Sequence, residues 1–300
     1  MRNIQLYNED NLEVMKRLPN ESIDVICIDP PYLYLKNQKL ERPFDEQKFF
    51  SECKRLLTKN GFIVMFGRGI SFYRWNGILD SLGFVFKEEI VWDKKYTSSP
   101  MTSISRIHET VVIYSKNKGK INKIKIPYEE IRTEYDLEKV VRDVNRLKTV
   151  FNNEKSFNHV LNYLNGSRTD LEENQRAVNF NVSMNTKVIG SQTVSPMIAI
   201  KEGMKEKSII HLGRNHYNTI HPTQKPVRLI ERLLALVIPQ DKERNDIVVA
   251  DWFGGSMSTM EAVHNMGMQG ISTEIDTEYF EAGKQRVEKL FESKQEKLAI

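Results

Sequence analysis

The chain has 300 residues, with 44 Lys and Arg against 40 Asp and Glu, a formal net charge of +4. A chain of this length buries enough surface to fold as one large or two ordinary domains without disulfide or metal staples. Its 40% hydrophobic and 9% aromatic content excludes a wholly disordered chain, and no stretch approaches the roughly 20 apolar residues of a membrane span.

In chain order, Asn3 to Tyr7 reads as a short strand, and Leu12, Met15 and Leu18 recur at helical spacing before Pro19. The first residues reach Glu9 and Asp10 before any apolar run, which argues against a secretory signal. Asp24 to Asp29 is a buried-strand pattern stopped by Pro30-Pro31. Phe49, Phe50, Cys53, Leu56 and Leu57 mark a helix that Asn60-Gly61 should end, and Phe62 to Phe66 is the next strand. Phe72, Trp75, Ile78, Leu79 and Leu82 mark another helix, closed by Gly83. Strand-like runs follow at 84–92 and 110–115. Such alternation predicts an α/β fold, with a mainly parallel sheet flanked by helices.

From Lys116 the pattern breaks. Lys116, Lys118, Lys120, Lys123 and Lys125 crowd together without an acid. A long amphipathic helix is expected over 137–151, more for packing than for recognition, followed by an Asn- and Ser-rich stretch. Residues 117–214 are therefore read as an insertion into a domain made of 1–116 and 215–300. Alternation resumes with the stripe Val227, Ile230, Leu233, Leu234, Val237 and Ile238. Strand 246–250, a helix through Met260, Val263 and Met266, strand 270–275 and a helix over 279–291 complete the chain. The two cysteines, Cys27 and Cys53, form no CxxC pair, so no Cys-rich metal site is expected and a reducing cytoplasm is the natural compartment.

Three strings carry chemistry. Asp29-Pro30-Pro31-Tyr32 follows a buried strand, where open parallel sheets bind ligands. Its carboxylate and a nearby carbonyl can accept both protons of an exocyclic amine, and its tyrosine offers a face to a planar base. The alternative is an ordinary strand-end turn. Asp251-Trp252-Phe253-Gly254-Gly255-Ser256 joins a strand to a helix, where glycines let a cofactor approach the backbone. Glu274, about twenty residues further on, stands at the offset of an acid that holds ribose hydroxyls. Any α/β unit can supply a glycine turn, so the spacing alone leaves that reading open. In His221-Pro222-Thr223-Gln224-Lys225-Pro226, Thr223 can cap the next helix and Lys225 can hold a carboxylate beside its free N–H groups. Capping alone explains the Thr and Pro but not the Lys.

Together, and in this order, the strings resemble the beta arrangement of the S-adenosylmethionine-dependent DNA amino-methyltransferases, over about two-thirds of the chain. The resemblance implies a Rossmann-like methyltransferase sheet, mostly parallel with an antiparallel hairpin strand, and an inserted target-recognition region. It implies S-adenosyl-L-methionine as cofactor, held by Asp10, Asp29, His221, Thr223, Lys225, Asp251, Phe253, Gly254, Gly255, Ser256 and Glu274. Asp29, Pro30, Pro31 and Tyr32 are the implied catalytic residues, and no metal is needed. The stretch 106–116 resembles the family's strand before the recognition region. The family's cofactor loop usually reads Asp-Pro-Phe-x-Gly-Ser-Gly-Thr; here Trp252 stands for the proline and Met257 for the second of its glycines.

The implied reaction is methyl transfer to N6 of a flipped adenine in duplex DNA, with Asp rather than Ser at position 29 favouring adenine over cytosine N4. Lys94, Lys95, Arg106, Lys116, Lys118, Lys120, Lys123 and Lys125 are expected to meet phosphates, unless they form only a solvated loop. Arg132, Arg142, Arg168, Arg176, Asn181 and Gln192 are candidate base readers. A homodimer is the expected assembly, and a cognate restriction endonuclease is left open. An RNA or protein-glutamine methyltransferase fits less well, because those often carry Asn at position 29 and place the glycine loop first. A nicotinamide dehydrogenase lacks its glycine pattern here. A DNA-binding protein with a degenerate cofactor site rests only on Trp252 and Met257.

Overall fold

The computed structural model describes residues 3–33, 42–96, 104–131, 202–214, 220–221 and 223–298, with isolated positions between 139 and 199. The chain divides into two compact units, Met1–Asn122 with Lys207–Ile300, and Lys123–Glu206. Among the described residues the strands are β1 (Ile4–Tyr7), β2 (Ile23–Ile28), β3 (Leu57–Gly67), β4 (Val85–Asp93), β5 (His108–Ser115), β6 (Lys125–Ile126), β7 (Met204–Lys205), β8 (Ile209–His211), β9 (Val248–Asp251) and β10 (Gln269–Thr273). The helices are α1 (Asn11–Arg17), α2 (Glu46–Leu56), α3 (Gly69–Ser81), α4 (Tyr128–Ile131), α5 (Val227–Val237), α6 (Ser258–Asn265) and α7 (Thr277–Leu298).

The first unit is built on an eight-stranded sheet in the order β1-β10-β9-β2-β3-β5-β4-β8. Only β5 runs against its neighbours; the other pairings are parallel. The fold is thus the expected mostly parallel α/β sheet with flanking helices. Every residue of β2 is buried, as a Val/Ile-rich central strand covered on both faces should be. Asp24 within it is satisfied by Lys242 Nζ at 2.7 Å and by the Val248 N–H at 3.1 Å. On α2, Phe49, Phe50 and Leu56 are wholly buried, each worth roughly 1.5–3 kcal/mol relative to exposure. They pack with Trp75 and Leu79 of α3 in one core.

Element ends differ from the sequence reading by a few residues at several places, and two differences bear on the sheet. Asn60-Gly61 does not end α2, which stops at Leu56; the pair lies inside β3, where the register jumps from Ile23↔Leu57 to Val25↔Phe62. A Cβ at Gly61 would come within 2.9 Å of the Asp24 carbonyl, so glycine lets the irregular strand pass close to β2. The strand β8, unmarked in the sequence, pairs with β4 at the sheet edge, where Trp92 Nε1 donates to the Leu212 carbonyl at 2.8 Å.

In the second unit, β6 and β7 pair antiparallel and Tyr128 donates to Asp143 at 3.1 Å. The helix expected at 137–151 falls mostly outside the described residues; Lys139, Arg142, Asp143 and Arg146 within it are helical. Of the proposed base readers only Arg142 is described. No helix of the described residues is long and apolar enough to cross a membrane.

Candidate active site at the carboxyl rim of the sheet

Strand direction decides which side chains meet. β2 leads to β3 on one side and pairs with β9 on the other, so a crevice opens beyond their carboxyl ends. Asp29 stands directly after β2, Asp251 ends β9, Glu274 follows β10 and Asp10 lies between β1 and α1. Because β5 is antiparallel, its first residues, His108 and Glu109, reach the same rim. One cleft is lined by Asp10, Asp29, Glu109, Lys225, Asp251 and Glu274. It also takes in Pro30, Pro31, Tyr32, His221, Thr223, Phe253, Gly254, Gly255 and Ser256. The structure therefore brings all the expected catalytic and cofactor residues to one place.

Tyr32 donates its hydroxyl to Asp29 Oδ1 at 2.5 Å, and its carbonyl accepts from Ser71 at 2.7 Å. The other Asp29 oxygen is ion-paired to Lys225. Lys225 Nζ also lies 3.3 Å from Glu109 Oε2 and 5.0 Å from the centre of the Phe66 ring. Glu109 Oε1 accepts from Lys94 Nζ at 3.1 Å. Burial pushes the Asp29 carboxyl up; Lys225 opposes this and Glu109 adds to it. Burial also acts against the charged Lys225, but Asp29 and Glu109 outweigh it and raise the ammonium. Lys225 is thus 8% exposed and held on the Asp29 carboxylate.

On the cofactor-loop side, Glu274 accepts the Gly255 N–H at 2.8 Å and the Asp276 N–H at 2.8 Å. Asp251 accepts the Phe253 N–H at 3.1 Å. Burial drives Asp251 up to about 7, against the Thr259 hydroxyl and the Phe253 N–H; burial likewise raises Glu274. Burial also brings His221 down to about 4, so its ring is neutral at pH 7. That ring meets Tyr279 edge-on at 4.4 Å between centroids and accepts the Thr223 N–H at 3.3 Å. Gly255 takes φ +47, and a Cβ at Gly254 would stand 2.5 Å from Ser272 Oγ, so both positions require glycine.

The two departures in this loop have structural outlets. Trp252 is 1% exposed and joins the core, leaving its carbonyl to accept from Thr273 Oγ1 at 2.8 Å and Asn11 Nδ2 at 3.3 Å. Met257 adopts the left-handed conformation (φ +56) that a glycine would take freely, and its side chain is wholly buried. Its atoms would meet a Cβ at Gly254 or Gly283 at 2.5–2.8 Å. Thioether packing between two glycines therefore replaces backbone freedom. Arg286, missed by the sequence reading, braces the loop from α7: it donates to the Ser256 carbonyl and to Ser258 Oγ, both at 3.1 Å.

Several expectations need correction. Thr223 does not cap α5; the N-cap is Pro226, without a side-chain bond, because three residues separate Thr223 from the first turn. Lys94 is 4% exposed and bonded to Glu109, so it faces the interior rather than a phosphate. Lys116 is held by the Leu57 carbonyl at 2.7 Å and by Glu21 at 2.9 Å. It follows the end of β5, whose eight residues separate it from the rim that carries Asp29 by about 25 Å of strand. Lys118 and Lys120 are exposed beside it at that far edge. Lys123 and Lys125 belong to the second unit, where Lys125 pairs with Glu202. Only Lys95 and Arg106 of the expected phosphate contacts stand near the rim, in the connection between β4 and β5.

A family model described as DNA methylase matches residues 23–285. The Type II methyltransferase M.HinfI of Haemophilus influenzae is 25% identical over 308 residues, covering 94% of this chain and 67% of the relative. Among solved structures, an M1.HpyAVI–SAM complex aligns with a TM-score of 0.54 at 20% identity, over 94% of this chain and 99% of that one. The PvuII DNA methyltransferase, cytosine-N4-specific, aligns at 0.55 and 15% identity, over 94% and 87%. Matched by the family model over most of its length, this chain belongs to the DNA methylase family, the S-adenosyl-L-methionine-dependent methyltransferases of adenine N6 and cytosine N4.

Proposed function

We propose that this protein methylates N6 of adenine in duplex DNA at one short sequence, acting on a base turned out of the helix. The observation that carries the reading is the Asp29 carboxylate. It stands at the carboxyl end of β2 with a tyrosine on one oxygen and a buried lysine on the other.

The cleft suits a cationic cofactor. Asp10, Asp29, Asp251 and Glu274 line it, and burial raises three of these carboxyls, so a positive ligand relieves a standing cost. In this reading Glu274 holds ribose hydroxyls, Gly254 and Gly255 leave the backbone open to the cofactor, and Asp10, on the same cleft, meets the adenine. S-adenosyl-L-methionine supplies an electrophilic methyl group on a sulfonium sulfur.

The amino group of adenine is a weak nucleophile because its lone pair is shared with the ring. Asp29 accepts one amino hydrogen and the Pro30 carbonyl the other, which draws the nitrogen out of the ring plane and frees the lone pair. Tyr32 occupies Asp29 Oδ1 with its own hydroxyl; base entry exchanges that donor for the amino group and leaves the tyrosine ring as a stacking face. Two consecutive prolines fix the loop, so acceptance costs little rearrangement. Leu33, directly after Tyr32, sits at φ +61, a strained position of the kind that clusters at working sites.

Incubating the purified protein with duplex plasmid and a cofactor labelled in its methyl group, then digesting to deoxynucleosides, should place the label in N6-methyl-2′-deoxyadenosine. Label in N4-methyl-2′-deoxycytidine would keep the family and overturn the base. DNA is expected to approach the catalytic rim, with the second unit, Lys123–Glu206, supplying target recognition. Replacing Lys95 and Arg106 together should reduce the log–log salt slope of DNA binding by about 2. Replacing Lys118 and Lys120 should leave it unchanged, and the opposite pattern in a salt titration would reject this docking face.

A further inference from the structure

Four charged side chains of alternating sign run inward from the β4–β5 hairpin to the catalytic loop: Lys94, Glu109, Lys225 and Asp29. Lys94 Nζ lies 3.1 Å from Glu109 Oε1, Glu109 Oε2 lies 3.3 Å from Lys225 Nζ, and Lys225 Nζ pairs with Asp29. The lysine side chains are 5% and 8% exposed, and Glu109 is 16% exposed. The row sums to zero. Its inner end faces the cleft and its outer end does not. The methyl-transfer reading explains Asp29 but leaves Glu109 and Lys94 without a task.

A carboxylate that monopolises an ammonium is neutralised and accepts further hydrogen bonds weakly. Here the ammonium is divided between two carboxylates. We propose that Glu109 is a positioning residue for the transfer step: by taking part of Lys225, it leaves Asp29 only partly neutralised and so a stronger acceptor of the amino hydrogens. Lys94 balances the charge that Glu109 brings. The row thereby stays neutral beside a cleft that must take a sulfonium cation and a nitrogen that becomes positive as it is methylated.

The groups facing Asp29 come from every element around it: Lys225 before α5, Glu109 on β5, Tyr32 in its own loop, Cys27 on β2 and Asp251 on β9. Burial works to raise Glu109, but Lys225 and Lys94 outweigh it and hold the carboxyl below its ordinary value, so it stays charged as pH falls. Among these neighbours Glu109 alone competes with Asp29 for the lysine.

The inference rests on Asp29 as the amino-group acceptor, and the experiment separates the two. In Glu109→Gln, Lys225 turns wholly to Asp29. The acid limb of the kcat profile should move down by about one pH unit and kcat should fall about tenfold. The extra positive charge should also weaken equilibrium binding of S-adenosylmethionine relative to the uncharged S-adenosylhomocysteine, by about fivefold. Lys94→Met combined with Glu109→Gln restores neutrality. That pair should recover the ratio of the two affinities while keeping the shifted acid limb, since Lys225 still belongs to Asp29 alone. It buries no unpaired lysine, so it carries the pH test if the single variant folds poorly. An unshifted acid limb in the double variant, with Asp29→Asn inactive, would overturn the role of Glu109 alone. Full transfer by Asp29→Asn would overturn the reading of Asp29, and the Glu109 inference with it.

Discussion

Asp29→Asn lowers the single-turnover rate of methyl transfer by about 10²–10³, the usual cost of losing one group aimed at developing charge, while the protein still folds and binds cofactor. The amide keeps the shape of the carboxyl. It loses the negative charge, however, and presents N–H donors where the substrate amino group needs acceptors. Lys225 then keeps Glu109 as its remaining carboxylate partner, so its charge stays paired and the fold does not collapse. Single-turnover transfer to plasmid DNA, with calorimetric cofactor titration alongside, separates the chemical step from binding. A rate within threefold of the parent would contradict the assigned role.

Asp251→Asn raises the melting temperature, by more at pH 8 than at pH 5. Asp251 is 5% exposed at the end of β9. Burial, together with the like charges of Asp29 and Glu274, moves its carboxyl from 3.8 up to about 7. Between those values the folded protein holds a proton that the unfolded chain has released. Stability therefore falls as pH rises through that window, and the full loss, about 4 kcal/mol at most, is present at pH 8. Asn carries no charge and escapes that loss, and its carbonyl still accepts the Phe253 N–H. At pH 8 the gain should be roughly 5 °C or more; at pH 5 the fold keeps Asp251 protonated while the unfolded chain has released its proton, so about a third of the gain remains, and it vanishes only below the unfolded value of 3.8. The same variant should bind the cationic cofactor more weakly at pH 8. Thermal melts at the two pH values decide it: an equal or larger gain at pH 5 would contradict the assignment. A carboxylate that burdens the empty fold and is relieved by a cation is what a site built for a sulfonium requires.

The strands that carry the site were legible in the sequence for a physical reason. Residues 24–29, 62–66 and 246–250 are apolar runs bounded by turn residues, because β2, β3 and β9 are covered on both faces. The glycine loop and Asp29-Pro30-Pro31-Tyr32 were legible because open parallel sheets place ligands after such strands. What escaped the reading depended on direction and burial. A cluster of lysines starting at Lys116 looks like a nucleic-acid surface, but β5 runs antiparallel and delivers its first three to the edge opposite Asp29. The same reversal carries Glu109 to the catalytic rim, unannounced by any local pattern. Lys94 read as a phosphate contact, yet it is buried against Glu109 across the β4–β5 hairpin; Lys225 read as the holder of a carboxylate, but nothing local announced that the carboxylate is Asp29, nearly two hundred residues away. The left-handed Met257 was visible only as a departure from a glycine, and its compensating packing against Gly254 and Gly283 involves a helix near the end of the chain.

The central role is that of Asp29, which directs methyl transfer to adenine N6. Sequencing that detects modified bases, on plasmid from a methylation-free host expressing this chain, tests it beside the Asp29→Asn variant. N6-methyladenine is expected at one short motif in the first plasmid and nowhere in the second. N4-methylcytosine at the motif, or adenine modification that persists in the variant, would contradict it.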